Sequence, residues 1–303
     1  FTFSRSEAGR TVFTISAART VERRGQQARL EEVSVVVYGQ EENRADEIHT
    51  GRCEYQASAS GRIFCPEAVT FALGVAPPVK GVGSKTERQL RIQTARVQFD
   101  QASGAAWTAE PVEFSFPEGH GRGVGLRYQP VQPVVRLQGG VVISLARARQ
   151  PPVTIVGQRL EYDSQQRVLT LWPPLKLLAG DRKLTAGVLR LQLDPAYRLR
   201  GLQASAGVSA STQPGARAWR ALSQQARAEF APGHGIERLQ LSEQVRVESL
   251  GPSRETLTCA QAEIFFDPTH RWVERVQAAG AARLRMVFAQ ETRELAADKL
   301  ELE

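Results

Sequence analysis

Residues Thr258 to Phe288 read TCAQAEIFFDPTHRWVERVQAAGAARLRMVF. Apolar side chains alternate on both sides of a break at Asp267 and Pro268: Ala262, Ile264 and Phe266 precede it, and Leu284, Met286 and Phe288 follow. A period of two belongs to a strand, because successive side chains leave opposite faces of the backbone. The same layout returns from Gln93 to Phe116 as QTARVQFDQASGAAWTAEPVEFSF, and from Ile155 to Gly180 as IVGQRLEYDSQQRVLTLWPPLKLLAG. The fold is therefore a matter of repeats rather than of isolated hairpins.

Working outward from these copies, the recurring anchor falls at Tyr55, Phe99, Tyr128, Tyr162, Leu193, Phe230, Phe266 and Leu302. Asp follows directly at Asp100, Asp163, Asp194 and Asp267, where a turn begins and a short carboxylate caps it. This spacing predicts one continuous chain, 1–303, of about eight two-strand repeats. The Pro- and Gly-rich stretch GVAPPVKGVGSKTE, residues 74–87, reads as an insertion. A joint is expected near 120–152, where the repeat lacks its Asp and carries Pro130 and Pro133. The segment RAWRALSQQARAEF from Arg217 is the best helix candidate, but the repeat register favours a strand ending at Phe230.

The apolar phase slips by one residue partway through the first strand of several repeats. Leu90 and Ile92 give way to Val97 and Phe99, Ile155 to Leu160 and Tyr162, and Leu184 to Leu189 and Leu191. Leu257 likewise gives way to Ile264 and Phe266, and Leu295 to Leu300 and Leu302. On a flat strand an odd separation would send the two sets to opposite faces. A bulge at the intervening small residues, such as Thr94, Gly157, Gly187 and Ala260, lets both sets serve one interior. The expected fold is all-β: an elongated, repeat-built, V-shaped β-jellyroll with an apolar groove along its interior.

Composition agrees with a folded chain. Of its 303 residues 42% are apolar and 23% charged, which excludes a disordered chain. No apolar run reaches the roughly 20 residues of a membrane-spanning helix. The net charge is +7, and only Lys80, Lys85, Lys176, Lys183 and Lys299 are lysine among 39 basic residues. The arginines are spread along the strands without an interleaved aromatic cluster, so nucleic acid is not expected as a partner.

Cys53 and Cys65 flank a hairpin centred near Ala59 and can face each other across neighbouring strands. That arrangement permits a disulfide, while two buried free thiols explain the sequence equally well. His49, His120, His234 and His270 lie far apart, without metal-ligand spacing. There is no G-x-S-x-G elbow, P-loop or dinucleotide fingerprint, so neither an enzyme nor a cofactor is expected.

The segments TARVQFD, GQRLEYD, LRLQLD and AQAEIFFD, with the closing segments LQASAGVSA and VQAAGAARL, resemble the OstA-like repeat of the periplasmic bridge proteins of lipopolysaccharide export. The opening FTFSRSEAGRTVFTISAARTVERRGQQARLEEVSVVVYG is similar to the start of the membrane-anchored bridge component. The resemblance implies a non-enzymatic lipid-transfer bridge in the periplasm. It further implies lipopolysaccharide or another acyl lipid as cargo, and an inner-membrane ABC transporter and other bridge proteins as partners. An inner-membrane anchor would lie outside the sequence given. Edge-strand pairing at both ends, near Thr11–Ala17 and Ala297–Glu303, would join the chains. The groove would be lined by Val97, Phe99, Phe114, Phe116, Leu126, Tyr128, Leu160, Tyr162, Leu191, Leu193, Ile264, Phe266, Leu284, Met286 and Phe288. The alternative is a structural or adhesive β-repeat in which these side chains fill a closed core.

Overall fold

The computed structural model describes residues 1–22, 27–39, 45–56, 61–75, 90–130, 132, 134–146, 152–212, 218–230, 236–250, 254–266, 273–288 and 291–302. Most of the insertion at 74–87, the hairpin tip at Ala59, and Asp267, His234 and His270 lie outside them. The protein is all-β, and the described residues contain no helix. The first nine strands are β1 (Thr2–Glu7), β2 (Arg10–Glu22), β3 (Gln27–Tyr38), β4 (Ala45–Gln56), β5 (Arg62–Val75), β6 (Leu90–Asp100), β7 (Ala106–Phe116), β8 (Gly119–Gln129) and β9 (Val134–Leu145). Six short strands follow: β10 (Val153–Gly157), β11 (Arg159–Asp163), β12 (Val168–Trp172), β13 (Leu175–Ala179), β14 (Arg182–Ala186) and β15 (Val188–Leu193). The last six are long again: β16 (Leu199–Thr212), β17 (Trp219–Phe230), β18 (Ile236–Ser249), β19 (Arg254–Phe266), β20 (Val273–Val287) and β21 (Thr292–Leu302).

The chain divides into two compact units. Unit 1 comprises Phe1–Ser144, Arg159–Val168 and Pro195–Arg198; unit 2 comprises Leu145–Gln158, Leu169–Asp194 and Leu199–Glu303. In unit 1, β1 to β8 form an antiparallel meander, each strand pairing with the next. β11 pairs with β9 through Leu160↔Leu137 and Tyr162↔Val135. In unit 2, β10, β13, β14 and β16 pair in that order, β15 also pairs with β16, and a second meander runs from β16 to β21. The segment 217–230 that could have been helical supplies β17, consistent with its alternating burial.

Where the apolar phase slips the strand is either bent or, at Gln158 and Gly187, divided into two, as β10 and β11 and as β14 and β15. In unit 1 the register breaks between Cys65 and Ala68, between Gln93 and Gln98, and between Thr108 and Pro111. In unit 2 it breaks between Ser205 and Val208, Leu222 and Gln225, Ser242 and Val245, Thr258 and Gln261, and Ala279 and Ala282. Left-handed residues mark the line: Arg96 (φ 50), Ala206 (φ 63), Glu243 (φ 65), Gln244 (φ 57) and Gly280 (φ 79). Each non-glycine residue there costs roughly 1 kcal/mol, which burial of apolar residues on both sides of the bend offsets. Leu90 and Ile92 are thus buried together with Val97 and Phe99, as are Leu257 and Ala262 across the bend of β19.

At the bend, space is short. A Cβ at Gly280 would lie 2.6 Å from Ala260 Cβ, and one at Gly187 would lie 2.6 Å from Ala206 Cβ. The neighbouring strands meet there through backbone, which is why small residues recur in the phase slips.

Unit 1 closes around large side chains. One cross-strand row runs Ile15, Val35, Ile48, Phe71, Ile92, Phe114 to Gly121, each directly opposite the next. The ring of Phe114 occupies the place of a side chain at Gly121, where a Cβ would sit 2.2 Å from Phe114 Cζ. Phe71 and Tyr128 pack edge to face with centroids 5.9 Å apart. Tyr128 Oη donates to Asp46 Oδ2 at 2.9 Å, and Gly74 N donates to Asp46 Oδ1 at 2.8 Å. Burial, and then the charge of Asp46, push the Tyr128 phenol well above its ordinary pKa. Tyr197, in the segment that belongs to unit 1, is buried and donates to Leu73 O at 2.9 Å.

Cys53 and Cys65 are joined, with Sγ atoms 2.03 Å apart, and both are buried. Their bond spans the place where the β4–β5 register breaks between Thr50 and Glu54. Cys259 is a free, buried thiol.

One expectation is corrected. Thr11–Ala17 is not an edge strand: β1 pairs along it, from Thr2↔Ser16 to Glu7↔Arg10. The sequence Glu7-Ala8-Gly9-Arg10 turns the chain back on itself, with Ala8 at φ 49 and Gly9 at φ 78, so Thr2–Glu7 takes the outer position.

Candidate functional site

The interior face of unit 2 is built from three cross-strand rows. The first runs Ile155, Leu177, Leu184, Ala210, Ala221, Val247, Leu257, Leu284 and Leu295, each directly opposite the next. Beyond the bend, the second runs Leu191, Leu202, Ala228, Leu239, Ile264, Val276 and Leu302. The third lies nearer the bend, as Leu189, Ala204, Ala226, Leu241, Ala262, Ala278 and Leu300. Register makes these rows: with one side chain in two pointing inward, correct pairing aligns every inward apolar residue with its neighbours.

Exposure rises toward β21 along the second row, while the first row is half-buried at Leu177, Leu184 and Ala210, buried at Ala221 and Leu257, and exposed at Leu295. Ile155 and Leu191 are buried; Val247, Ile264, Val276 and Leu284 are half-buried; Leu295 is 51% and Leu302 38% exposed. The row nearest the bend stays buried at Ala262 and Ala278. The result is a narrow, small-residue floor between walls of branched aliphatic side chains that are incompletely covered. None of the row residues is ionisable, so the rows offer contact and exclusion of water, with no group to attack or transfer a proton.

On the lining side Glu255 and Arg293 both lie directly opposite Met286, and Arg293 stands 5.8 Å from the Phe288 ring centroid; the opposite face carries paired charge. Arg238 pairs with Glu263, Arg275 Nη1 lies 3.6 Å from Glu301 Oε1, and both guanidiniums stand over the ring of Phe265, at 5.7 and 4.4 Å from its centroid. Phe265 and Ile264 therefore belong to opposite faces of β19.

The residues expected to line a groove separate into two environments. Val97, Phe99, Phe114, Phe116, Leu126, Tyr128, Leu160 and Tyr162 are core residues of unit 1, between 0% and 8% exposed. Leu191 and Leu193 are buried in unit 2, whereas Ile264, Phe266, Leu284 and Met286 are half-buried and Phe288 is 44% exposed. The structure adds Leu239, Val247 and Val276, whose alternation the sequence carries but whose alignment with Ile264 and Leu284 depends on register.

Two of the recurrent aspartates are turn caps. Asp100 Oδ1 accepts from Ser103 N at 2.7 Å and Ser103 Oγ at 2.8 Å, and Asp163 Oδ1 accepts from Gln166 N at 2.9 Å. Burial raises the Asp100 pKa, but the Ser103 donors outweigh it and hold the carboxyl below its usual range. Among the described residues no cluster of His, Cys, Asp and Glu is placed to hold a metal ion. No helix among them is long and apolar enough to cross a membrane.

No family model and no curated protein matches the chain. A solved structure to which it is similar is LptH from Pseudomonas aeruginosa, the LptA homologous periplasmic component of the conserved lipopolysaccharide transport device. The identity is 16% and the TM-score 0.35, over 48% of this chain and 94% of LptH.

Proposed function

We propose that the protein is a non-enzymatic lipid-transfer bridge of the cell envelope, and that unit 2 shields acyl chains between its apolar rows. The observation that carries this reading is the incompletely buried apolar lining at Val247, Ile264, Val276 and Leu284, in rows that run from strand to strand. Leaving such surface in water costs about 25 cal/mol per Å², and an acyl chain gains about 0.8 kcal/mol for each methylene it buries there. The three rows hold acyl chains by apolar contact, which suits cargo recognised by its chains and handed onward, and Arg293, opposite Met286 and beside Phe288, is a cation within reach of a head group. Leu191, Leu193, Ile264, Phe266, Leu284, Met286 and Phe288 are the lining positions in this reading.

The OstA-like motifs support a periplasmic location, with lipopolysaccharide as cargo, an inner-membrane ABC transporter upstream and other bridge proteins as neighbours. Those neighbours would pair their backbones with the outer strands β1 and β21. Unit 1 favours the second reading, a structural β-repeat, because its aromatic core is filled; its role here is to hold the assembly rather than the lipid.

The test is photocrosslinking. With a photoreactive amino acid at Ile264 or Phe266, the protein purified from an envelope containing lipopolysaccharide should capture lipid, while the same probe at Phe99 should not. Capture at neither unit 2 position, with native mass spectra free of lipid, would end the proposal.

A further inference from the structure

Unit 1 carries a second concave feature, on its polar face and independent of the lipid reading. Two adjacent outward-facing rows cross β3, β4, β5 and β6: Gln27, Gln56, Arg62 and Asp100 in one, and Arg29, Glu54, Phe64 and Gln98 in the other. Between them lies a recess of about 470 Å³, lined by residues of both rows and by Arg96. Arg96 lies on the recess side in step with Gln98 and Asp100, at the β6 bulge, where its φ is 50. A left-handed arginine is an unusual choice where glycine would fit without strain.

The lining is mixed in a specific way. Arg29 is paired with Glu31, and Arg96 Nε with Glu110 Oε1 at 3.1 Å, and both guanidiniums keep further N–H groups to spare. Arg96 also stands 6.0 Å from the Phe64 ring centroid. Arg62 makes no ion pair or hydrogen bond through its guanidinium among the described residues, although its charge reaches Asp100. Gln27, Gln56 and Gln98 add carboxamides that both donate and accept. A guanidinium without a side-chain ion pair can take an anion, carboxamides read hydroxyl groups, and an aromatic ring packs against the apolar face of a sugar.

We infer that this recess binds an anionic saccharide, a sugar ring carrying one carboxylate or phosphate group, with Arg62 as the residue that takes the anion. The Arg29–Glu31 and Arg96–Glu110 pairs are each neutral, so among the described lining residues the Arg62 guanidinium, opposite Asp100 without an ion pair to it, sets the preference.

The experiment is ligand titration of the full chain, followed by NMR or calorimetry, with glucuronate, glucose 6-phosphate, glucose and inorganic phosphate. Either anionic sugar should bind at least about tenfold more tightly than glucose and than inorganic phosphate, and binding should weaken with added salt. Preference for glucuronate would identify an acidic polysaccharide as the source, and preference for glucose 6-phosphate a phosphorylated one. Arg62→Gln should lower affinity about tenfold, and Gln98→Ala should weaken the sugar but not inorganic phosphate. Both side chains face outward, and an unchanged thermal midpoint verifies folding. Equal binding of glucose, equal binding of inorganic phosphate, or no saturable binding of any of the four would overturn the assignment.

Discussion

Leu126 in unit 1 and Leu284 in unit 2 both face inward but differ in how far they are covered. Leu126 is 0% exposed and Leu284 is half-buried. Leu126→Ala removes a fully packed side chain and leaves a cavity, which costs about 3 kcal/mol. Leu284→Ala loses only part of a transfer term and leaves no sealed void, so about 1 kcal/mol is expected. With a urea dependence of about 2 kcal/mol per molar, the two midpoints should differ by about 1 M. Lipid retention should show the opposite order. Leu284→Asp puts a carboxylate where water already reaches it, so the protein should fold yet lose bound lipid in native mass spectra, while Leu126→Ala keeps it. Equal urea shifts for the two alanine variants would mean that the unit 2 rows are packed shut. Full lipid retention in Leu284→Asp would refute the acyl-chain site itself.

The Asp46–Tyr128 pair gives a pH prediction. The phenol pKa is raised in the folded protein, so its contribution is complete below the unfolded value near 10 and disappears as pH rises through the folded value. Tyr128→Phe should cost about 1.5–3 kcal/mol at neutral pH, by stripping a donor from a buried carboxylate. In urea midpoints measured from about pH 8 to about pH 12 it should also flatten the alkaline decline, whereas an identical decline in both proteins would assign it to other groups. At the bend, Gly280→Ala and Gly207→Ala separate strain from crowding. Both glycines have positive φ, but a Cβ at Gly280 meets Ala260 at 2.6 Å while one at Gly207 meets nothing within 4 Å. Thermal denaturation should show a loss of about 1 kcal/mol at Gly207 and about 3 kcal/mol at Gly280; equal losses would mean that the strands do not touch there.

The two outermost strands illustrate how sequence reading can misplace an edge. Thr11–Ala17 alternates like any half-buried strand, and nothing in its own residues says that Thr2–Glu7 will fold back over it. The turn at Ala8 and Gly9 decides the matter, and its left-handed geometry is available to many short polar sequences. β21 offers the contrasting case: its apolar positions Leu295, Leu300 and Leu302 were legible, and they fall opposite Leu284, Ala278 and Val276.

Period-two alternation, the recurrent aromatic-Asp step and the one-residue phase slip determined an all-β chain of bent strands, because the side-chain period and the need to bury both apolar sets leave few other solutions. Asp100 and Asp163 as turn caps were equally legible, since an Asx contact is local. The tertiary structure decided which apolar sets are filled and which stay partly open. Phe99, Phe114 and Tyr128 look no different in sequence from Phe266, Ile264 and Leu284. Their burial depends on what the fold brings against them: Ile63 and Ala106 opposite Phe99, Ile92 and Gly121 opposite Phe114, and Phe71 edge to face with Tyr128 in unit 1, against the incompletely covered Val276 and Leu295 opposite Ile264 and Leu284 in unit 2. The pairing of Cys53 with Cys65 was decided in the same way, by non-local contacts that no residue type specifies on its own.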